Sequence, residues 1–428
     1  GVPDGTYYVV VDSSTVAPTA GGTGWAEQTY GPVGAATFSG SYSYAASAGP
    51  LYGGKQPTAS DSAIDASAAE HLAQLSLSGG AYVEDVDFGF SFNVVTNLEG
   101  GDATSPQGSF RQFLSNANTV SGPNAMRFVP VVGTNATNGT DDWWSLAITS
   151  VLPQLVDADT TVDGTGYDSA DGVTVLDTNT AQIGAGQAVG TDAAVATVRL
   201  DPELAIYNDR ATPVANGLDV QSDNAVLRAV AIYGFGIGGL DADLRIGDHG
   251  GGPGVDGVTV ENVVIGTDPA SNPNPGPDIT PYVGVLIARS TNGVFRDSLV
   301  RSIDGYGVRL GLVSTGWQVT GNEFSGNGTD GSSTALLLTT SGATITGNLL
   351  AANVSDALIV SSDGQGTVDN NTIDMNGGYG VYVFSTALGS TFSKNIITNN
   401  GGGIAILDPV TQNRLSQNIY GGNGGISI

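Results

Sequence analysis

The chain has 428 residues, no cysteine, 13 Lys and Arg against 41 Asp and Glu, and a formal net charge of −28. Without cysteine there is no disulfide framework and no thiolate chemistry, and so acidic a surface repels nucleic acid and anionic lipid, which removes both as partners. Glycine supplies 64 residues and charged residues only 13%, as in turn-rich β proteins, and no run reaches the roughly 18 apolar residues of a membrane span.

Residues 1–95 open with the strand GTYYVVVDS (5–13) and close with AYVEDVDFGFSF (81–92). In the second phrase Val83, Val86, Phe88, Phe90 and Phe92 alternate with small or polar neighbours. Between them lies a Gly-, Ala- and Ser-rich stretch carrying Trp25, Tyr30, Tyr42, Tyr44 and Tyr52. The pattern predicts a small antiparallel β-sandwich. The two phrases resemble the second half of the prealbumin-like, Cna-B/SdrD-type domains that build stalks on bacterial surface proteins. The resemblance implies a stalk domain that begins part-way through its fold. Lys55 sits in a Gly-rich loop, GGKQP, and not on a first strand, so no internal Lys–Asn isopeptide bond is expected. The missing strands are expected either from processing of a longer chain or from a neighbouring subunit by strand addition.

Residues 96–123 read as a linker and a capping helix. After the polar VTNLEGGDATSPQG (95–108), Phe110, Phe113, Leu114 and Ala117 fall at i, i+3, i+4 and i+7. Ser109 is placed to cap the start, and Asn118 or Gly122 to end it. GSFRQFLSNANTVSGPNAMRF (108–128) resembles the "GSLRQAI" segment that opens large secreted bacterial right-handed β-helix proteins. WWSLAITSVLPQLVDADTTVDGTGY (143–167) resembles their first coils. That likeness implies a helix closing the N-terminal end of a solenoid that occupies residues 124–428.

The middle supplies strands at ATVRLD (196–201), NGLDVQSDNAVLRAVAIYGF (216–235) and ADLRIGD (242–248), with turn-rich insertions at 135–142 and 267–282. From Val258 onward a phrase returns: aliphatic, two spacers, polar, spacer, aliphatic. Its polar residue is Glu261, Asp297, Asn322, Asn348, Asn371, Asn395 and Asn418, at intervals of 36, 25, 26, 23, 24 and 23. A second phrase keeps step with it, as GVLI, GVRL, ALLL, ALIV, GVYV, GIAI and GISI at 284, 307, 335, 357, 380, 403 and 425. Two phrases sharing one period mean a solenoid. Short alternating strands without helix make it an all-β, right-handed parallel β-helix. Asn322, Asn348, Asn371, Asn395 and Asn418 are then expected to stack as an internal ladder that satisfies buried backbone groups.

Chemistry is thinly represented. Glycoside hydrolysis needs two spaced carboxylates, and elimination needs a basic residue near a cation-holding acidic cluster. The best patch for either is Asp241, Asp243, Arg245, Asp248 and His249, which also reads as a charged loop on a coil. With only His71 and His249 in the chain, a histidine metal site is not expected. No cofactor is expected, with calcium the one ion the acidic composition invites. Asp157, Asp159, Asp163 and Asp168 have a suggestive spacing, but Val162 replaces the Gly that an EF-hand loop requires. Trp143, Trp144 and Trp317 are candidate sugar-stacking rings or core residues. Asn135, Asn138, Asn327, Asn353 and Asn370 head glycosylation sequons.

The sequence as given does not open on a signal-peptide pattern, and Gly1 is expected to be the processed start of an exported chain. The start lacks strands, and the end at Ile428 falls inside a strand phrase without a cap, which is expected to favour head-to-tail stacking into a filament. The functional expectation is a non-catalytic, extracellular or cell-surface structural or adhesive protein. Its partners would be copies of itself or a surface or matrix polysaccharide. The alternative is a polysaccharide lyase or glycoside hydrolase acting on a face of the solenoid.

Overall fold

The computed structural model describes the chain except residues 1, 33–35, 38–42, 45–47, 58–62, 81–82, 85, 100–105, 194, 210, 237, 249, 271–281, 312, 362–363, 385–386, 388, 408–411 and 426–428. It forms two compact units, Gly1–Thr134 with Thr165–Asp177, and Asn135–Gly164 with Thr178–Ile428.

The second unit is built from three parallel sheets, and the chain visits them in a fixed order. Sheet III takes strands such as Val283–Ala288 and Tyr306–Gly311, sheet II Val294–Arg296 and Gln318–Thr320, and sheet I Leu299–Arg301 and Glu323–Ser325. Among the described residues sheet I has eleven strands, the first of them, Ala136–Thr137, antiparallel, sheet II nine and sheet III eight. In register, each strand pairs with its equivalent one coil on. Strand alternation sends every second residue inward. Val260, Phe295, Val319, Ile345, Val368 and Phe392 therefore stack as one column of sheet II, each at most 1% exposed.

Corners are made by single residues in the left-handed region. Between sheets II and I these are Ala229, Asn262, Asp297, Gly321, Gly347, Asn370, Lys394 and Gln417, with φ from 48° to 70°. The residue after each turns inward. From Asn322 onward that residue is asparagine, and Asn322, Asn348, Asn371, Asn395 and Asn418 form a continuous ladder. Asn348 Oδ1 accepts the Asn322 backbone N–H at 2.9 Å and its side-chain amide at 3.0 Å, while Asn348 Nδ2 donates to Val319 O at 2.8 Å. Asn371, Asn395 and Asn418 repeat the pattern. Lower down the register differs from the sequence alignment of the phrase. Val260 pairs with Phe295, and Phe295 with Val319, so the ladder continues through Ser298 and Val263, not through Asp297 and Glu261. Ser298 N donates to Asn322 Oδ1 and Ser298 Oγ accepts from Val263 N. A slip of one residue inverts every side chain of a strand, and the inward site there is filled by small or apolar residues.

A second ladder borders the other end of sheet I. Asn327, Asn353, Asn376, Asn400 and Asn423 each lie five residues beyond a member of the first, and they link in the same way. Both ladders satisfy backbone groups that no strand partner reaches at the corners.

In the first unit Gly5–Val10 pairs antiparallel with Leu72–Leu77, and Glu27–Pro32 lies between Ala48–Pro50 and Gly89–Ser91, again antiparallel. Ala36–Thr37 and Ser43–Tyr44 join their neighbours in parallel. The helix spans Phe110–Ala117; Ser109 Oγ caps it by accepting from Gln112 N, and Phe110, Phe113 and Leu114 are sealed from solvent. The helix belongs to this unit. Asn116 accepts from Trp25 N and donates to the carbonyls of Trp25 and Phe92.

Candidate functional site

The three outer faces of the solenoid differ in what they leave free. Sheet I is covered. Residues 178–200 leave the coils as an arm that lies along it. Ile183 and Leu200 of the arm pack on the outward side chains Trp143, Ala205, Ala231, Tyr233, Val264 and Leu299, forming a second hydrophobic core outside the tube. Further along, Ala185 N donates to Glu323 Oε2 (2.6 Å), Gly190 N to Thr372 Oγ1 (3.0 Å) and Asp192 N to Asn370 Oδ1 (2.9 Å). Asp192 ends the run in an ion pair with Lys394 at 2.9 Å. From the strand at 204 to that at 396 is seven coil steps, so the arm crosses about 34 Å of sheet.

Sheet II is polar and self-paired. One outward column reads Asp163, Arg228, Glu261, Arg296, Thr320, Thr346, Asp369 and Ser393. Its members close on one another: Arg228 with Asp163 at 2.7 Å, Arg296 Nε with Glu261 at 2.9 Å, and Ser393 Oγ with Asp369 at 2.6 Å.

Sheet III is different. Its outward column runs Asp219, Arg245, Leu286, Arg309, Leu337, Ile359, Tyr382 and Ala405. Aromatic rings flank it. Tyr382 lies 5.5 Å from Tyr379 and 5.0 Å from Phe384, ring centre to ring centre. Tyr379 and Phe384 are 39% and 38% exposed. Nearer the first coils, Tyr282 meets Tyr306 edge-on at 6.1 Å, and the Arg309 guanidinium stands over Tyr306. Asp356 borders the Tyr379 group, accepting Tyr379 N at 2.6 Å. Burial pushes its carboxyl above the ordinary 3.8, against the opposing pull of that N–H.

The acidic patch read from the sequence lies at the first coils of this face and is bound up in structure. Asp243 is fully buried and accepts Phe235 N. Arg245 sits between Asp219 at 3.4 Å and Asp248 at 3.9 Å. Asp248 accepts Gly250 N and Gly252 N, which hold its carboxyl below the ordinary value. Asp241 is half-buried, and His249 lies outside the described residues. A general acid needs a raised carboxyl facing a second one across the scissile bond, and Asp248 is lowered while Asp243 is sealed.

The other candidates fall elsewhere. Asp157 accepts Thr160 Oγ1, Asp159 accepts Asn224 Nδ2, Asp163 pairs with Arg228, and Asp168 accepts Ala170 N. Trp143, Trp144 and Trp317 are at most 5% exposed and pack in cores, so they offer no open ring. Asn327 and Asn353 are buried ladder members, closed to glycosylation. Much of the insertion at 267–282, namely residues 271–281, lies outside the described residues.

A sequence model described as "Right handed beta helix region" matches residues 254–428. The solenoid is a right-handed parallel β-helix. No curated protein matches the chain. Among solved structures, the A-module of the Azotobacter vinelandii mannuronan C-5 epimerase AlgE4 is similar at 14% identity and a TM-score of 0.41, over 72% of this chain and 89% of that one. The Dettilon tailspike protein is similar at 12% identity and a TM-score of 0.41, over 78% of this chain and 60% of that one. A variant of the periplasmic alginate epimerase AlgG follows at 14% identity and a TM-score of 0.38, over 69% of each chain.

The tyrosine face has a signal in the sequence. The third letter of GVLI, GVRL, ALLL, ALIV, GVYV and GIAI is the outward residue of sheet III, and it is apolar or Arg throughout.

Proposed function

We propose that the protein is a non-catalytic β-helix adhesin of the cell exterior that holds a polysaccharide along the outer face of sheet III. The observation that carries this reading is the open aromatic group Tyr379, Tyr382 and Phe384, in line with Arg309, Tyr306 and Tyr282 on a face whose coils from Arg309 onward carry no ion pair among the described residues. Aromatic rings with a polar tip stack on the apolar faces of sugar rings and hydrogen-bond their hydroxyls. The strands that carry Tyr306 and Tyr379 stand three coil steps apart, about 14 Å along the axis, which suits an extended polymer. The net charge of −28 works against a polyanion, so the ligand is a neutral polysaccharide. Support for binding without turnover comes from the acidic patch, whose carboxylates serve the fold. No helix among the described residues is long and apolar enough to cross a membrane.

Affinity electrophoresis tests this reading. Neutral glucans, galactans and mannans cast in native gels should include one that retards the protein, and Tyr382→Ala with Phe384→Ala should abolish that retardation. Retardation only by a polyuronate, or release of reducing or unsaturated ends on incubation, would overturn it. Filament formation by head-to-tail contact is a separate expectation, read by light scattering at rising concentration.

A further inference from the structure

The first unit buries three ionisable side chains that the carbohydrate platform does not use. Glu27 and Glu70 are 1% exposed and His71 is 0% exposed. One carboxylate oxygen from each Glu and one ring nitrogen of His71 lie within 4.8 Å of one another. Glu27 opens the strand Glu27–Pro32, and Glu70 and His71 directly precede Leu72–Leu77, so strand placement brings them together across a long stretch of sequence. His71 Nε2 stands 3.8 Å from Glu70 Oε2. That is too long for a hydrogen bond, and it is the size of gap left between two ligands that each bind one ion at about 2.0–2.2 Å.

The carboxylates are also held from behind. Glu27 Oε1 accepts Gln28 N at 2.6 Å, and Glu27 Oε2 accepts from the buried Thr96 hydroxyl at 3.2 Å. Gly108, at φ +69°, leaves a gap in which a Cβ would come 2.3 Å from Glu27 Oε2, and Gly54, at φ +62°, one in which a Cβ would come 3.1 Å from Glu70 Cγ. The ring of Phe90 meets His71 edge-on at 5.1 Å, fixing the plane of the imidazole. Such supports are what orient metal ligands. Two buried carboxylates are costly unless compensated. A divalent cation held between them would offset that cost.

We propose that Glu27, Glu70 and His71 bind a first-row divalent cation of the Zn²⁺ type as a structural site of the N-terminal unit. Two carboxylate oxygens and one imidazole nitrogen suit that class. Ca²⁺, which takes six to eight oxygens, is disfavoured. Sealed from solvent, the site would tie the start of one strand to the start of another, and the ion's binding energy would appear as folding stability.

The test uses the full-length, tag-free protein. It is stripped with EDTA under mild denaturation, refolded, incubated with Zn²⁺, Mn²⁺ or Ca²⁺, desalted, and its metal content measured by inductively coupled plasma mass spectrometry. The expected result is about one tightly held Zn²⁺ per chain. Thermal unfolding should move to higher temperature with Zn²⁺ but not with Ca²⁺, and Co²⁺ substitution should give a visible d–d spectrum. His71→Ala and Glu27→Gln should lose the ion and the shift. Should those variants fail to fold, stoichiometry and the Co²⁺ spectrum of the unmodified chain still decide. Zn²⁺ well below one equivalent, with no thermal shift, would overturn the site.

Discussion

Replacing Asn371 with Ala removes one rung from the middle of the first ladder. Its Oδ1 accepts both the backbone N–H and the side-chain amide of Asn348, and its Nδ2 donates to Ile345 O at 2.9 Å and to Asn395 Oδ1 at 3.0 Å. The residue is 0% exposed, so water cannot replace these bonds at once. Alanine strands at least the Asn348 N–H and the Ile345 carbonyl, and each orphaned buried group costs about 1–3 kcal/mol. The expected loss is therefore about 4 kcal/mol, a large part of the margin of a folded domain. Asn418 makes the same kind of bonds but is half-buried, and water can stand in for its side chain, so Asn418→Ala should cost about 1 kcal/mol. Urea unfolding followed by far-ultraviolet circular dichroism measures both against the unmodified chain. Hydrogen exchange at Asn348 N–H and its coil neighbours shows whether the damage is local. If Asn371→Ala costs no more than Asn418→Ala, the ladder is not a source of stability and the physical account of the corners is wrong.

The arm over sheet I makes two contrasting predictions. Ile183→Ala empties a site in the outer core and should cost about 2–5 kcal/mol, with proteases gaining access to residues 178–200. Lys394→Ala removes a pair that is 38% and 48% exposed at its two ends, and should cost under about 1 kcal/mol. On sheet III, Tyr382→Ala should weaken polysaccharide binding about tenfold or more without changing the unfolding midpoint. Acid should destabilise the fold. Asp141, held low by the hydroxyl of Thr180, Asp256 by that of Thr291, and Asp171 by that of Thr174, all lie below 3.8. Their contribution is full above the unfolded value, and it is lost as pH falls through the lower folded values. Asp356 has the opposite sign: its raised carboxyl favours the protonated fold, so its contribution is lost as pH rises through the folded value. Circular dichroism melts from pH 2.5 to 7 should show the midpoint falling below about pH 4, with Asp356→Asn flattening only the upper part of the curve.

The solenoid was legible in the sequence because alternation and a period of about 23 residues are both written in side chains. The second ladder is equally legible, since Asn recurs five residues after each member of the first. The slip at Asp297 was not legible: an acidic residue at a left-handed corner and an Asn facing inward look alike as "polar" letters. The arm was hidden for a different reason. ATVRLD reads as a coil strand, yet Val195–Ala196 pairs antiparallel with Ala188–Val189 and returns along the outside of sheet I. Nothing local distinguishes an alternating strand inside the tube from one lying on it. The buried group of Glu27, Glu70 and His71 was invisible because its members come together by the packing of strands from two different sheets, which no local pattern records.

The central claim is that sheet III holds the ligand. Hydroxyl-radical footprinting read by mass spectrometry, with and without the polysaccharide that retards the protein, tests it most directly. Protection of Tyr379, Tyr382 and Phe384, with oxidation unchanged on the outward residues of sheet II, is the predicted result. Protection along the outward residues Thr344, Thr367 and Thr391, which pair in register on sheet II, with the three rings still fully reactive, would contradict it.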